Sequence, residues 1–133
     1  MSDDLYQQAI KDLAARESSR LDPADVSVTL DNPLCGDRIV VDARLSGGKV
    51  EAVGHAAKGC LLCKAAAAVM ADNAAGRDAQ GAAELLDGAR AMLKQGAEPP
   101  LPALAPFLTA RPHKSRHDCI LLPFKALAKA TSP

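Results

Sequence analysis

Aromatic side chains are scarce in this chain. Of 133 residues only Tyr6, Phe107 and Phe124 carry an aromatic ring, and tryptophan is absent. A surface that stacks nucleic-acid bases on ring faces is therefore excluded. The core must instead be assembled from Ala, Leu, Val and Ile, which bury less area per side chain. Net charge is missing too. Sixteen basic and sixteen acidic residues cancel, so no broad field exists to hold nucleic acid or an anionic membrane. The longest apolar run, residues 65–71, falls far below the ~20 residues that span a bilayer. Residues 1–10 are acidic and lack the basic and apolar sections of a secretory leader. These absences predict a soluble cytoplasmic protein with no nucleic-acid or membrane partner. In a reducing compartment, Cys35, Cys60, Cys63 and Cys119 are better read as metal ligands or reactive thiols than as a disulfide framework. A bound metal would also reinforce a modest core.

What is present predicts one α+β domain over residues 1–133. A small antiparallel sheet of about three strands, with a central hairpin, is expected to pack against helices. Residues 4–18 space Leu5, Ala9, Ile10 and Leu13 for an amphipathic helix. Residues 19–25 read as a loop, and Val26 to Leu30 alternate as a short strand. Residues 38–45 place Ile39, Val41, Ala43 and Leu45 on one face. Residues 49–55 do the same for Val50, Ala52 and Gly54. Between them, Gly47 and Gly48 supply the positive φ angles of a two-residue hairpin turn.

That turn sets a register of Leu45 opposite Val50, Arg44 opposite Glu51 and Ala43 opposite Ala52. The opposite charges of Arg44 and Glu51 agree with it. Carried outward, the register brings Cys35 opposite Cys60. Cys35 and Asp37 share the parity of Ile39 and Val41, although Pro33 and Gly36 argue against regular strand there. Further on, residues 61–73 form an Ala-rich helix. Residues 80–95 form another, with Leu85, Leu86, Ala89, Met92 and Leu93 on its apolar side. Residues 96–106 hold Gly96, Pro99, Pro100, Pro102 and Pro106, and read as a loop or short irregular helix. A last helix is expected over 120–130, with Pro123 in its first turn.

Four residues emerge as candidate ligands. Cys35 and Asp37 enter the hairpin, Cys60 leaves it where a helix begins, and Cys119 stands where the last helix begins. Zinc and iron accept thiolates and carboxylates in tetrahedral sites. A thiol at a helix N-terminus has its thiolate favoured, which makes it a good ligand and a good nucleophile. Spacing alone leaves open that these are simply buried small side chains.

The motifs Asn32-Pro33-Leu34-Cys35-Gly36-Asp37-Arg38, Gly59-Cys60 and Arg116-His117-Asp118-Cys119 resemble the U-type iron–sulfur scaffold family, which includes SufU, IscU and NifU N-terminal proteins. The resemblance runs from the first helix to Ala128. It implies a small sheet covered by helices. It also implies sulfur received from a pyridoxal-phosphate cysteine desulfurase, and zinc or a nascent iron–sulfur cluster held by Cys35, Asp37, Cys60 and Cys119. Recipient apo-proteins or other SUF components would be further partners. In the SufU branch the site binds zinc and the first cysteine, here Cys35, accepts persulfide sulfur. That branch carries an insertion between the second and third cysteines, and an Arg three residues before the third. Here 58 residues separate Cys60 from Cys119, and Arg116 takes the Arg position. The IscU branch has His directly before that Cys, where this chain has Asp118. Three thiolates and a carboxylate around a divalent ion leave a negative centre, which Arg116 would partly neutralise. A purely structural zinc site is the competing reading.

Other residues stay open. Cys63 completes Cys-Leu-Leu-Cys with Cys60 and lies on the same helix face. It is either a packed neighbour of the site, a shared ligand or a sulfur relay; the Cys-x-x-Cys spacing also resembles a redox pair, but no thioredoxin-like βαβ pattern surrounds it. His117 is a candidate ligand or an unliganded neighbour, and His113 and His55 are weaker candidates. The basic run from Arg111 to His117 is either a docking surface or a solvated loop. Residues 99–108 either expose an apolar patch or cover the domain's own core.

Overall fold

The computed structural model describes residues 7–132. Leu5, assigned above to the first helix, lies outside them. Helix α1 (Gln8–Ala14) leads to strands β1 (Val26–Asn32), β2 (Asp37–Ser46) and β3 (Lys49–Lys58). Helices α2 (Leu61–Asn73) and α3 (Ala79–Lys94) follow. A 3-10 segment (Pro102–Ala110) and a short 3-10 turn (Lys114–Arg116) then lead to α4 (His117–Thr131). The sheet is an antiparallel meander, ordered β1-β2-β3. Helix α4 packs on β1 and β2, α2 packs on β3 and α4, α3 packs on α4, and α1 packs on α2. The architecture is α+β, as the sequence predicts. Among the described residues no helix is long and apolar enough to cross a membrane.

The core is largely aliphatic. Ile39, Val41 and Ala43 of β2 are fully buried against Leu62, Ala65 and Ala66 of α2 and Ile120, Phe124 and Leu127 of α4, in one cluster. Both Phe107 and Phe124 are fully buried. Residues 99–108 therefore cover the domain's own core: Leu104 and Phe107 turn inward from the 3-10 segment.

The hairpin turn forms as expected, with φ of 59° at Gly47 and 81° at Gly48. The predicted register holds only next to the turn, at Ser46–Lys49 and Leu45–Val50. Leu45 pairs with Val50, but Arg44 pairs with Ala52 and Ala43 with Val53, because Glu51 is an extra residue bulged out of β3. Every later β3 residue changes face. His55 and Ala57, not Gly54 and Ala56, lie opposite Val41 and Ile39 on the helix-covered side. Arg44 and Glu51 still approach to 3.6 Å without being directly opposed. The register cannot bring Cys35 opposite Cys60, because pairing ends at Arg38 and Lys58.

The loop after α1 covers the part of the sheet's outer face around Asp42 and Gly54. The side chain of Asp42, only 1% exposed, accepts hydrogen bonds from Arg20 Nε (2.5 Å), Arg20 Nη2 (2.9 Å), the Leu21 N–H (3.1 Å) and Ser27 Oγ (2.6 Å). Gly54 admits this loop, since a Cβ there would stand 2.5 Å from Leu21 N. The Arg20 guanidinium foremost holds the Asp42 carboxyl down, from 3.8 to about 2. A folded-state value below the unfolded one stabilises above the unfolded value, and that stabilisation disappears as pH falls through the folded one. The expected loss is at most about 2 kcal/mol, spread between about pH 4 and pH 2. Denaturant titrations across that window check it: Asp42→Asn should flatten this limb, and an unchanged limb would refute the assignment.

Candidate metal centre

The centre is built where the open ends of the strands meet the start of α4. Strand β1 ends in a tight turn over residues 33–36. The turn is closed by the Cys35 N–H donating to Asn32 O at 3.2 Å and by Gly36 at φ 72°. It lifts Cys35 out of the ladder and returns the chain to the sheet at Asp37, which pairs with Asn32. Asp37 shares the inward parity of Ile39 and is 2% exposed. Cys119 is the third residue of α4 and fully buried. That helix starts earlier than the sequence predicts, at His117, so Pro123 sits in its interior instead of its first turn. A proline there has no N–H for the carbonyl four residues back, which is that of Cys119.

The ligand atoms of Cys35, Asp37 and Cys119 all lie within 4.8 Å of one another. Asp37 Oδ1 accepts the Cys60 N–H at 2.9 Å. Asp37 Oδ2 is buried and has no hydrogen-bond partner among the described residues. A buried carboxylate oxygen without a donor is costly, and a cation at the mouth of this set would satisfy it. Burial above all, with Asp37 and Cys35 beside it, pushes the Cys119 thiol well above the usual range. Two thiols and a carboxylate in so small a volume offer a cation several donors at once. The donor set fits zinc or iron.

Cys60 does not belong to this set of three. It is the N-cap of α2, and its sulfur accepts the Cys63 N–H at 3.4 Å. Cys63 is fully buried. Burial foremost, with negative charge at Asp37, Cys60 and Cys35, pushes its thiol up to about 12.

Arg116 closes the 3-10 turn just before α4 and is half-buried. The Ser115 carbonyl beside it lies 3.7 Å from Cys35 Sγ, so this turn borders the centre. His117 is buried but faces away from the three ligands. Its Nε2 lies 3.0 Å from both the Ala110 and Arg111 carbonyls, so that nitrogen carries the proton and donates. Its Nδ1 meets Lys94 Nζ at 3.5 Å. Both ring nitrogens are thus engaged in joining α4 to α3 and the 3-10 segment. Arg111 staples the same region through the Met92 carbonyl (2.7 Å) and the Ala97 carbonyl (2.5 Å). His113 is exposed, and His55 lies in β3 facing α2.

Two residues of the quoted motifs have functions that spacing did not reveal. Asn32, buried, aims Nδ2 at Cys119 Sγ over 3.7 Å. Gly59, at φ 137°, lets the end of β3 close over Asp37, where any Cβ would collide with the carboxylate.

These features define a small α+β protein with a thiol–carboxylate centre at one end of its sheet. The NifU-like N terminal domain family matches residues 5–102, and the chain belongs to that family. The iron–sulfur cluster assembly scaffold protein IscU of Streptococcus pyogenes serotype M1 is 32% identical over 98 residues. That match covers 72% of this chain and 60% of the relative's own length. Among solved structures, the N-terminal part of a nitrogen-fixing NifU-like protein from Brucella abortus superposes with a TM-score of 0.90 at 30% identity, covering 97% of this chain and 93% of that one. A putative iron–sulfur cluster assembly scaffold for the SUF system from Fervidobacterium islandicum AW-1 gives 0.87 at 26% identity, covering 99% and 100%. Cys119 lies beyond the family match but within the stretch both structures cover.

Proposed function

We propose that this protein serves iron–sulfur cluster assembly, in the manner of the SufU branch. It accepts sulfur from a SufS-like, pyridoxal-phosphate-dependent cysteine desulfurase and passes it toward recipient apo-proteins or other SUF components. The observation that carries this reading is the convergence of the Cys35 and Cys119 sulfurs with a carboxylate oxygen of Asp37, a buried residue whose Oδ2 has no hydrogen-bond partner among the described residues. Cys35, Asp37 and Cys119, with Cys60 as fourth donor, would hold zinc. A nascent cluster would be cargo of the same donors. Zinc supplies positive charge that keeps buried thiols deprotonated and ordered.

Within that set Cys35 is the natural sulfur acceptor. It is the half-buried thiol on a turn, whereas Cys119 is fully buried on a helix. Its neighbour Leu34 is 90% exposed, so a carrier can reach this turn from solvent. The Cys35 thiolate attacks the outer sulfur of the donor persulfide, and the donor thiolate leaves. Arg116, next to the Ser115 carbonyl that meets Cys35, would partly offset negative charge at the centre.

Incubation with a cysteine desulfurase and cysteine, followed by peptide mass spectrometry, tests the assignment. Persulfide should accumulate on Cys35, and Cys35→Ser should reduce charging to the background of uncharged protein. Normal charging of Cys35→Ser would remove Cys35 as acceptor. Bound zinc with no charging of the wild type would leave a structural zinc site as the function.

A further inference from the structure

Cys60, named above as fourth donor to an ion, has a second partner when no ion engages it. Cys35 and Cys119 converge on Asp37, while Cys60 turns its sulfur back over the first turn of α2 toward Cys63. Cys60 is half-buried at the N-cap and Cys63 is fully buried at the third helical position. Residues three apart on a helix bring their Cβ atoms to about 5–6 Å, a separation that side-chain rotation and small backbone shifts can close into a disulfide. An accessible sulfur at a helix start, with a shielded thiol one turn behind it, suits a dithiol that resolves a bond formed at its outer sulfur. Cys63, with no exposed surface, is out of reach of a bulky sulfur carrier. It can meet only sulfur already held on a neighbouring side chain, and Cys60 is the one within its own helical turn.

We propose that Cys60 and Cys63 form an internal dithiol that discharges sulfane sulfur from the centre as sulfide, an activity that rests on the reading above that the centre receives persulfide sulfur. In the first step the Cys60 thiolate attacks the outer sulfur of a persulfide, the donor thiolate leaves, and Cys60 carries the persulfide. In the second step the Cys63 sulfur attacks Cys60 Sγ. The Cys60–Cys63 bond forms, the bond to the outer sulfur breaks, and hydrosulfide leaves with the Cys63 proton passing to it or to solvent. The sulfane sulfur gains two electrons and the two thiols lose them. Each reduced chain thus releases one sulfide without an added reductant, and a dithiol reductant would reset it.

Trypsin cuts after Lys58 and Lys64, so both cysteines fall on one peptide, residues 59–64. The test mixes reduced, metal-free protein anaerobically with glutathione persulfide, quenches with an alkylating agent, and reads sulfide and that peptide together. The wild-type peptide should become two hydrogens lighter and resist alkylation, with one sulfide released per peptide closed. In Cys63→Ser the peptide should keep a persulfide on Cys60, with sulfide release lower by on the order of tenfold. Cys63→Ala gives the same readout should the serine disturb the core. A wild-type peptide that holds a stable persulfide, or takes up no sulfur, overturns the proposal. So does undiminished sulfide release from the Cys63 variants. Glutathione persulfide needs no desulfurase, so failure of Cys35 as enzymatic acceptor would leave this disulfide intact. Failure of the dithiol would leave enzymatic charging of Cys35 intact.

Discussion

Zinc added to the metal-free protein should raise its melting temperature by about 15 °C when free zinc exceeds the dissociation constant about a thousandfold. Binding to the native state alone then contributes about 4 kcal/mol. The melting entropy of a chain this long is roughly 0.3 kcal/mol/K. The direction follows from the centre. Asp37 is held buried with one oxygen unpaired among the described residues, and Cys119 is buried beside it, so the metal-free protein carries an electrostatic cost that the ion removes. The unfolded chain does not bring residues 35, 37 and 119 together, so it gains far less from the ion. Asp37→Ala should lose most of the shift. Cys63→Ser should keep it, because Cys63 lies outside the converging set. Differential scanning calorimetry with and without zinc measures both. A wild-type shift of only a degree or two would mean that the three ligand atoms do not constitute a metal site.

Much of the fold was legible because it rests on strong local signals. The Ala-rich stretch between Gly59 and Gly76 gave α2 its bounds, and the Gly47–Gly48 pair gave the hairpin turn. Two details escaped for physical reasons. A period-two pattern carries no mark of an extra residue, so the bulge at Glu51 was invisible and the faces of β3 were exchanged after it. Proline's preference for a first helical turn pushed the expected start of α4 downstream, whereas tertiary packing accommodates Pro123 inside the helix. In the centre, the hairpin delivered Cys35 and Asp37, the expected start of the last helix offered Cys119, and motif resemblance joined them into one site. The direction of the Cys60 sulfur was not legible, because it depends on a side-chain rotation toward the Cys63 N–H. Nor was the contact from Asn32 to Cys119, which joins residues 87 positions apart.

Gly59→Ala should damage the centre more than any other single methyl group. Gly59 adopts φ 137°, and a Cβ there would collide with Asp37 Oδ1 and stand 2.9 Å from both its Cα and Cγ. The left-handed backbone alone costs a non-glycine residue about 1–3 kcal/mol. Displacing Asp37 also breaks its bond with the Cys60 N–H, for about another 1–3 kcal/mol. The two costs are coupled through one displacement, so a destabilisation of about 2–4 kcal/mol is expected. Zinc affinity should fall by on the order of a hundredfold, since Asp37 moves and Cys60 loses its anchor. Gly76→Ala separates the two effects: Gly76 has φ 84° but open space around its would-be Cβ. It should cost about 1–3 kcal/mol of stability and leave zinc affinity unchanged. Denaturant unfolding and competition with a chromophoric chelator measure the pair. Equal affinities in the two variants would mean that Gly59 acts through backbone strain alone and that its closeness to Asp37 has no part in holding the metal.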